Sequence, residues 1–234
     1  MVDLFRLLSF GPEGWGSQLL SGAWLTIRLA LTTLPFGMLL GLILAYAIIS
    51  GRRLLAYPAT IFTTVFRALP ELLTIFIMYY GAQMLLDASL PDAHIEISGF
   101  WSGVVALGIV FASFSSEVFV AGLRALPKGQ FEAAHALGLR PFATFFDVVL
   151  PQLIRLTLPG LGNLWLVLLK DTALVSVIAL NDLMRQTSIA VSTTKQPLFF
   201  YAVVLVIYYL ISLSSGRVVA VLESRANRGF EAAR

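Results

Sequence analysis

The chain has 234 residues, of which 58% are hydrophobic and only 12% charged, with a formal net charge of +3 and a mean hydropathy of +0.86. Soluble domains carry about 25% charged residues, so a water-soluble globular fold is excluded. The absence of cysteine excludes disulfides and thiolate metal sites, and so small a positive charge gives no reason to expect nucleic acid as a partner.

Only helices and closed barrels satisfy every backbone polar group inside a bilayer. Long unbroken apolar runs, rather than short alternating ones, select helices. The expected fold is therefore all-α, a single polytopic membrane domain over residues 1–234 with five transmembrane helices, near 21–49, 58–86, 100–123, 159–180 and 199–222. Ahead of the first, Asp3 and Glu13 interrupt any apolar core of a cleavable signal peptide. Span one contains Arg28 and a pair of small residues, Gly37 and Gly41, whose spacing of four allows another helix to come close. Packing within the same subunit is the expected use of that pair.

Span two carries Arg67, Pro70 and Glu71. Pro70 predicts a helix break. Arg67 and Glu71 at i, i+4 predict a self-neutralising pair that braces it. A polar segment follows at 87–98, with Asp87, Asp92, His94 and Glu96, and span three then contains Glu117 near one end.

The segment 124–158 is the most informative. Pro127 and Gly129 close span three, and "FEAAHALGL" (131–139) reads as a short helix, with Gly138 in the left-handed position after it and Pro141 in the first turn of the next. Phe142, Phe145, Phe146 and Val149 follow at i, i+3, i+4, i+7 as an apolar stripe, which Pro151 is expected to interrupt. The predicted object is a helical elbow projecting from the membrane, with Gln130, Phe131, Glu132, Ala133 and Ala134 on it.

Span four contains Asn163, Lys170, Asp171 and Thr172. Arg67 lies about 20 Å along span two and Lys170 about 16 Å along span four at helical rise, so both pairs of charges are expected at mid-depth. Ionised groups there cost at least ~2.5–3.5 kcal/mol and face a bundle interior or a wet path. Lys170 and Asp171 diverge by about 100° around the helix and cannot both face one way. Lys170 is expected to turn toward Glu117 or Glu71. Asp171 and Glu71 are the expected contacts of a passing cation, and Arg67 and Lys170 structural counter-charges. Thr172 and Asn163 could serve the amino or carboxylate group of a zwitterion. The polar stretch 181–197 reads as an external connection, a lip or a plain loop, before span five. The tail repeats "FEAA" without the Gly and Leu-Pro that follow the first copy, and that repeat reads as coincidence.

Orientation follows from the cations. Ten Lys and Arg residues, including Arg52, Arg53, Arg124 and Arg140, lie on the side of the elbow and the tail, against three on the other. The positive-inside rule puts the C-terminus in the cytoplasm and the N-terminus outside. Trp15, Trp24 and Trp101 would form part of the outer interfacial belt.

The run Glu132-Ala133-Ala134, three residues, Gly138, nine residues, Val148, one residue, Leu150-Pro151 resembles the EAA motif of ABC-importer permeases, with Val where that family usually has Ile. "TTVFRALPELLTIFIMYYG" (63–81) is similar to the Arg-Gly-x-Pro region of the polar amino acid permeases. "LPGLGNLWLVLLKDTALVSVIALNDLM" (158–184) is similar to their Lys-Asp-Thr-Ser/Ala-Leu stretch. The resemblance covers nearly the whole chain and points to the Q-type subunits of arginine, histidine, lysine/ornithine and opine importers.

It implies a type I ABC-importer permease fold in a bacterial inner membrane, with the elbow (Gln130 to Ala134, Gly138, Pro151) seated in a cytoplasmic ATPase. It also implies a homologous M-type permease or a second copy, two ATPase subunits holding ATP and Mg, and a periplasmic binding protein. Two departures stand out. Ala68 replaces the usual Gly, and Val120 occupies a position where an Arg often follows Glu117, which removes that Arg as a partner for Glu117. The chain has no G-x-x-x-x-G-K-[ST] loop, so nucleotide hydrolysis by that route must lie on another polypeptide. The chain reads as a transport subunit and not an enzyme: it has no H-E-x-x-H or G-x-S-x-G, and no metal site or catalytic residue is expected. A secondary transporter or channel working without an ATPase is the alternative.

Overall fold

The computed structural model describes residues 4–11, 14–90, 96–178 and 180–227, and these are built from helices. Among the described residues, five helices are long and apolar enough to cross a bilayer: α1 (Gly16–Ile49), α3 (Glu71–Ser89), α4 (Gly99–Ala125), α6 (Pro141–Ile178) and α8 (Pro197–Asn227). Between them lie α2 (Arg53–Ala68), the elbow helix α5 (Lys128–Ala136) and α7 (Leu183–Thr194).

Water supplies no drive for helix association within lipid, so close van der Waals contact must supply it. The tightest seam is between α1 and α4. Gly37 and Gly41 face it, as a packing role requires. A Cβ on Gly41 would lie 3.0 Å from the Ala112 carbonyl, and one on Gly37 would lie 2.7 Å from Phe111 Cδ1. Around this seam Leu29, Ile75, Leu107, Phe111, Leu169 and Val175 form the central core. A second cluster, with Leu19, Leu183, Ala190 and Phe200, gathers the end farthest from the elbow. A third, with Ala45, Phe119, Leu153 and Leu161, gathers the elbow end.

Three elements differ from the sequence expectations. The region expected as one span at 58–86 is two helices, because Leu69 and Pro70 are extended (ψ 141° and 133°) between α2 and α3. Pro151 and Pro159 do not interrupt span four. That span starts at Pro141 rather than 159, and the helix runs through both prolines. At Pro151 the reason is a wide π turn at Thr144–Val149. It ends just before Pro151 and moves the preceding carbonyls out of the ring's way. The helix then tightens to 3₁₀ at Thr172–Ile178.

The third difference is the stretch 181–197, which is not a plain loop. Asp182 caps α7 by accepting from the N–H groups of Arg185 (3.0 Å) and Met184 (3.3 Å), and Lys195 ends it in the left-handed conformation (φ 59°). The Leu183 N–H donates to Thr26 Oγ1 on α1 at 3.3 Å, which docks α7 on the bundle. Asp182 is fully buried, and desolvation holds its carboxyl up at about 6 against the opposing pull of those N–H donors.

Candidate functional site

Two regions concentrate the chemistry: a set of charged side chains on α2, α3, α4 and α6, and the elbow. The break at Pro70 decides the first. Because Leu69 and Pro70 leave the helical path, residues 67 and 71 no longer stand one turn apart on a common face. The expected Arg67–Glu71 brace is replaced: Arg67 Nη1 pairs with Glu117 of α4, and Arg67 Nε donates to the Thr63 carbonyl at 3.2 Å. The cation for Glu117 therefore comes from α2, and the Val at position 120 leaves no charge stranded.

Glu71, released from Arg67, becomes the first residue of α3, where the exposed N–H ends favour a carboxylate. There it shares one cavity of about 160 Å³ with Asp171 of α6, walled by Leu107, Phe111, Phe114 and Leu168. Two acids distant in sequence thus converge in an apolar chamber. Lys170, expected near Glu117 or Glu71, stands exposed beside them, and it and Glu71 are the charged neighbours felt by Asp171. Asn163 is exposed on α6, off the wall of this cavity. Thr172 is fully buried and donates to the Leu169 carbonyl at 2.7 Å. The aromatic walls, Phe111 and Phe114, were not singled out in the sequence, where nothing distinguishes them from other apolar residues of span three. Near the opposite end from the elbow, Arg28 stacks 4.8 Å over the Phe100 ring.

The elbow is built by a helix stop. Gly138 has φ +72°. Its N–H donates to the His135 carbonyl at 2.9 Å, and the Leu139 N–H donates to the Ala134 carbonyl at 3.1 Å. These are the paired bonds of a Schellman ending. A Cβ on Gly138 would meet nothing within 4 Å, so its requirement is conformational and not steric. Ala134 is buried beneath the turn, while Gln130, Phe131, Glu132 and Ala133 are exposed. Gln152, one residue past Pro151, ties the elbow to α6. Its Nε2 donates to the Val148 carbonyl at 2.9 Å and to Gln130 Oε1 at 3.3 Å. The sequence reading missed Gln152; a polar residue directly after the Leu-Pro pair, in an otherwise apolar run, was the available signal.

The family model described as "Binding-protein-dependent transport system inner membrane component" matches residues 37–228. The octopine transport system permease protein OccQ of Rhizobium meliloti is 37% identical over 98% of this chain and 98% of its own length. The arginine ABC transporter permease protein ArtQ of Haemophilus influenzae is 39% identical over 91% of this chain and 95% of its own. Among solved structures, a chain of an amino acid ABC transporter crystallised with histidines superposes with a TM-score of 0.79 at 30% identity, covering 96% of this chain and 99% of that one.

Proposed function

This chain belongs to the family of binding-protein-dependent transport system inner membrane components, and from that premise we propose that it forms half of the path of an ATP-driven importer of basic amino acids or opines. In this reading the other half is a homologous M-type permease or a second copy, two cytoplasmic ATPase subunits hold ATP and Mg, and a periplasmic binding protein delivers the solute. The elbow and the C-terminus lie in the cytoplasm and the N-terminus in the periplasm of a bacterial inner membrane, in keeping with the distribution of Lys and Arg.

One observation carries the mechanism: α6 is a single element from Pro141, at the foot of the elbow, to Ile178, past Asp171. Pro151 and Asp171 are 20 residues apart, about 30 Å at helical rise. A displacement of the elbow is transmitted along that rod to the acid in the cavity. The Schellman turn keeps α5 at a set angle, and the Gln152 amide spans the joint. When the ATPases close, α5 moves with them, α6 tilts, and the wall between Glu71 and Asp171 shifts. A cationic side chain bound between the two acids replaces water and counter-charge at mid-membrane, where an unpaired carboxylate is costly. Phe111 and Phe114 pack the aliphatic part of such a solute. The homology to permeases named for arginine and octopine supports the same substrate class.

The test is uptake by the complete complex in vesicles. Arginine or octopine accumulation should require internal ATP and the ATPase subunits. Accumulation driven by an ion gradient alone, with no nucleotide, would transfer the chain to the secondary transporters.

A further inference from the structure

A second cavity is larger than the one between the acids. It is a groove of about 820 Å³ between the last turns of α1 and the first turns of α6, floored by the elbow. Ile43 and Tyr46 form one side, Phe142 and Phe146 the other, and Phe131 and His135 the floor. Ile43, Tyr46 and Phe142 are 57%, 66% and 74% exposed, too much apolar surface to leave to water. No acid lines the groove, and Asp147, within the π turn, is not part of the lining. Cations flank its lining residues in the chain: Arg52 is exposed shortly beyond Ile49, and Arg140 is exposed between Leu139 and Pro141, both of which line the groove, whereas Arg53 lines a separate pocket with Leu54 and Tyr57.

We propose that this groove binds an anionic phospholipid of the cytoplasmic leaflet, with acyl chains against Ile43, Tyr46, Phe142 and Phe146 and the headgroup phosphate at Arg52 and Arg140. The proposal rests on the cytoplasmic orientation of the elbow given above. The physical case is a match of two surfaces at one depth. An open apolar trough on the last turns of a crossing helix meets hydrocarbon. Arg52 and Arg140, exposed beside its lining residues in the chain, meet the negative surface of the inner leaflet. Phe131 and His135, at i, i+4, share the side of α5 that faces the groove. Glu132 and Ala133 are exposed and outside its lining, so an ATPase seated on that other side leaves the lipid in place. The bound lipid then supports α5 from behind and joins it to α1.

The protein, purified with the subunits that accompany it and exchanged into detergent, is examined by native mass spectrometry. Retention of phosphatidylglycerol, about one molecule per chain and in preference to phosphatidylethanolamine, supports the proposal, as does its loss in Ile43→Trp, which fills the trough, and in Arg140→Gln. Arg140 lies on the exposed rim, so that variant reports without disturbing the packing. In vesicles, ATP-driven uptake several-fold faster with phosphatidylglycerol than with phosphatidylcholine alone supports it further, provided Arg140→Gln abolishes the difference. Equal retention of neutral lipid, retention of none, or cross-linking of Tyr46→Cys to an ATPase or permease partner overturns it. Lipid retention is read without transport, so failure of the importer reading would leave this result intact and visible.

Discussion

Pro70 and Pro151 each fall within an apolar stretch of this chain, and the backbone treats them in opposite ways. At Pro70 the helix opens: Leu69 and Pro70 are extended, and Glu71 starts a new helix. At Pro151 the helix continues, because the π turn at Thr144–Val149 widens the path ahead of the ring and the Gln152 side chain donates to the Val148 carbonyl. A proline removes one donor and crowds one carbonyl, and the neighbourhood decides whether the chain breaks or adapts. The structural consequences differ accordingly. The break delivers Glu71 to the cavity it shares with Asp171, and the continuity joins the elbow to that same cavity through one rod.

Substitutions on the two sides should separate these roles. The largest effect is expected at the continuous side. Gly138→Pro removes the N–H that closes the Schellman turn and cannot adopt φ +72°, and Glu132→Lys reverses the charge on the exposed side of α5. Each should leave insertion normal, keep ATP hydrolysis running and reduce uptake by at least about tenfold, as expected from loss of roughly 1.4 kcal/mol or more of coupling. Hydrolysis and uptake measured on the same vesicles check this, and normal uptake would make the elbow a mere connector.

At the broken side, Asp171→Asn should slow uptake of a cationic amino acid by about tenfold, the order for one charge-assisted contact of ~1.5–3 kcal/mol, and of a neutral one much less. Glu71→Gln should follow the same pattern. Equal losses for both substrates would assign the two acids to structure. The Arg67–Glu117 pair gives a third and distinct signature. Arg67→Met or Glu117→Gln alone leaves one charge without its partner, whereas the double variant removes both. Thermal midpoints should therefore be lower in each single variant than in the double, and additive losses would argue against the pair.

Gln152→Leu should lower the ratio of uptake to hydrolysis by a few-fold, since a neutral hydrogen bond contributes only ~0.5–1.5 kcal/mol. Gln152→Glu, which keeps the size but has no N–H to give Val148, should not restore it. The smallest effect concerns α7. Asp182 has a folded-state pKa of about 6, raised above its ordinary 3.8 by burial. The folded protein therefore holds a proton between those values that the unfolded chain has released, and its stability falls as pH rises through that window. The thermal midpoint should drop by a few degrees from pH 4 to pH 6 in the native protein and by less in Asp182→Asn, which keeps the cap.

The helical class, the number of crossing helices and the Gly138 stop were legible in the sequence. Lipid solvation, apolar run length and left-handed glycine are requirements met within one segment. The packing of Gly37 and Gly41 was nearly as legible, since a small-residue spacing of four marks a contact face whatever its partner. Helix α7 was not read, although Asp182, directly before Leu183, is a residue type preferred at a helix start. Its polar composition resembled a loop, and its stability comes from burying Leu183 and Ala190 against α1 and α8.

What the amino-acid order alone determined was therefore each local choice: which stretches form helices apolar enough to cross a bilayer, where the elbow stops, and which few ionisable residues fall within or beside them. Only the tertiary structure decided that Arg67 reaches across to Glu117, that Glu71 and Asp171 meet in one chamber, and that the elbow and span four are one rod. The reason is geometric. Hydrophobicity and turn conformation act over a few residues, whereas the partner of a charge depends on the mutual rotation and depth of two helices, which no single segment encodes.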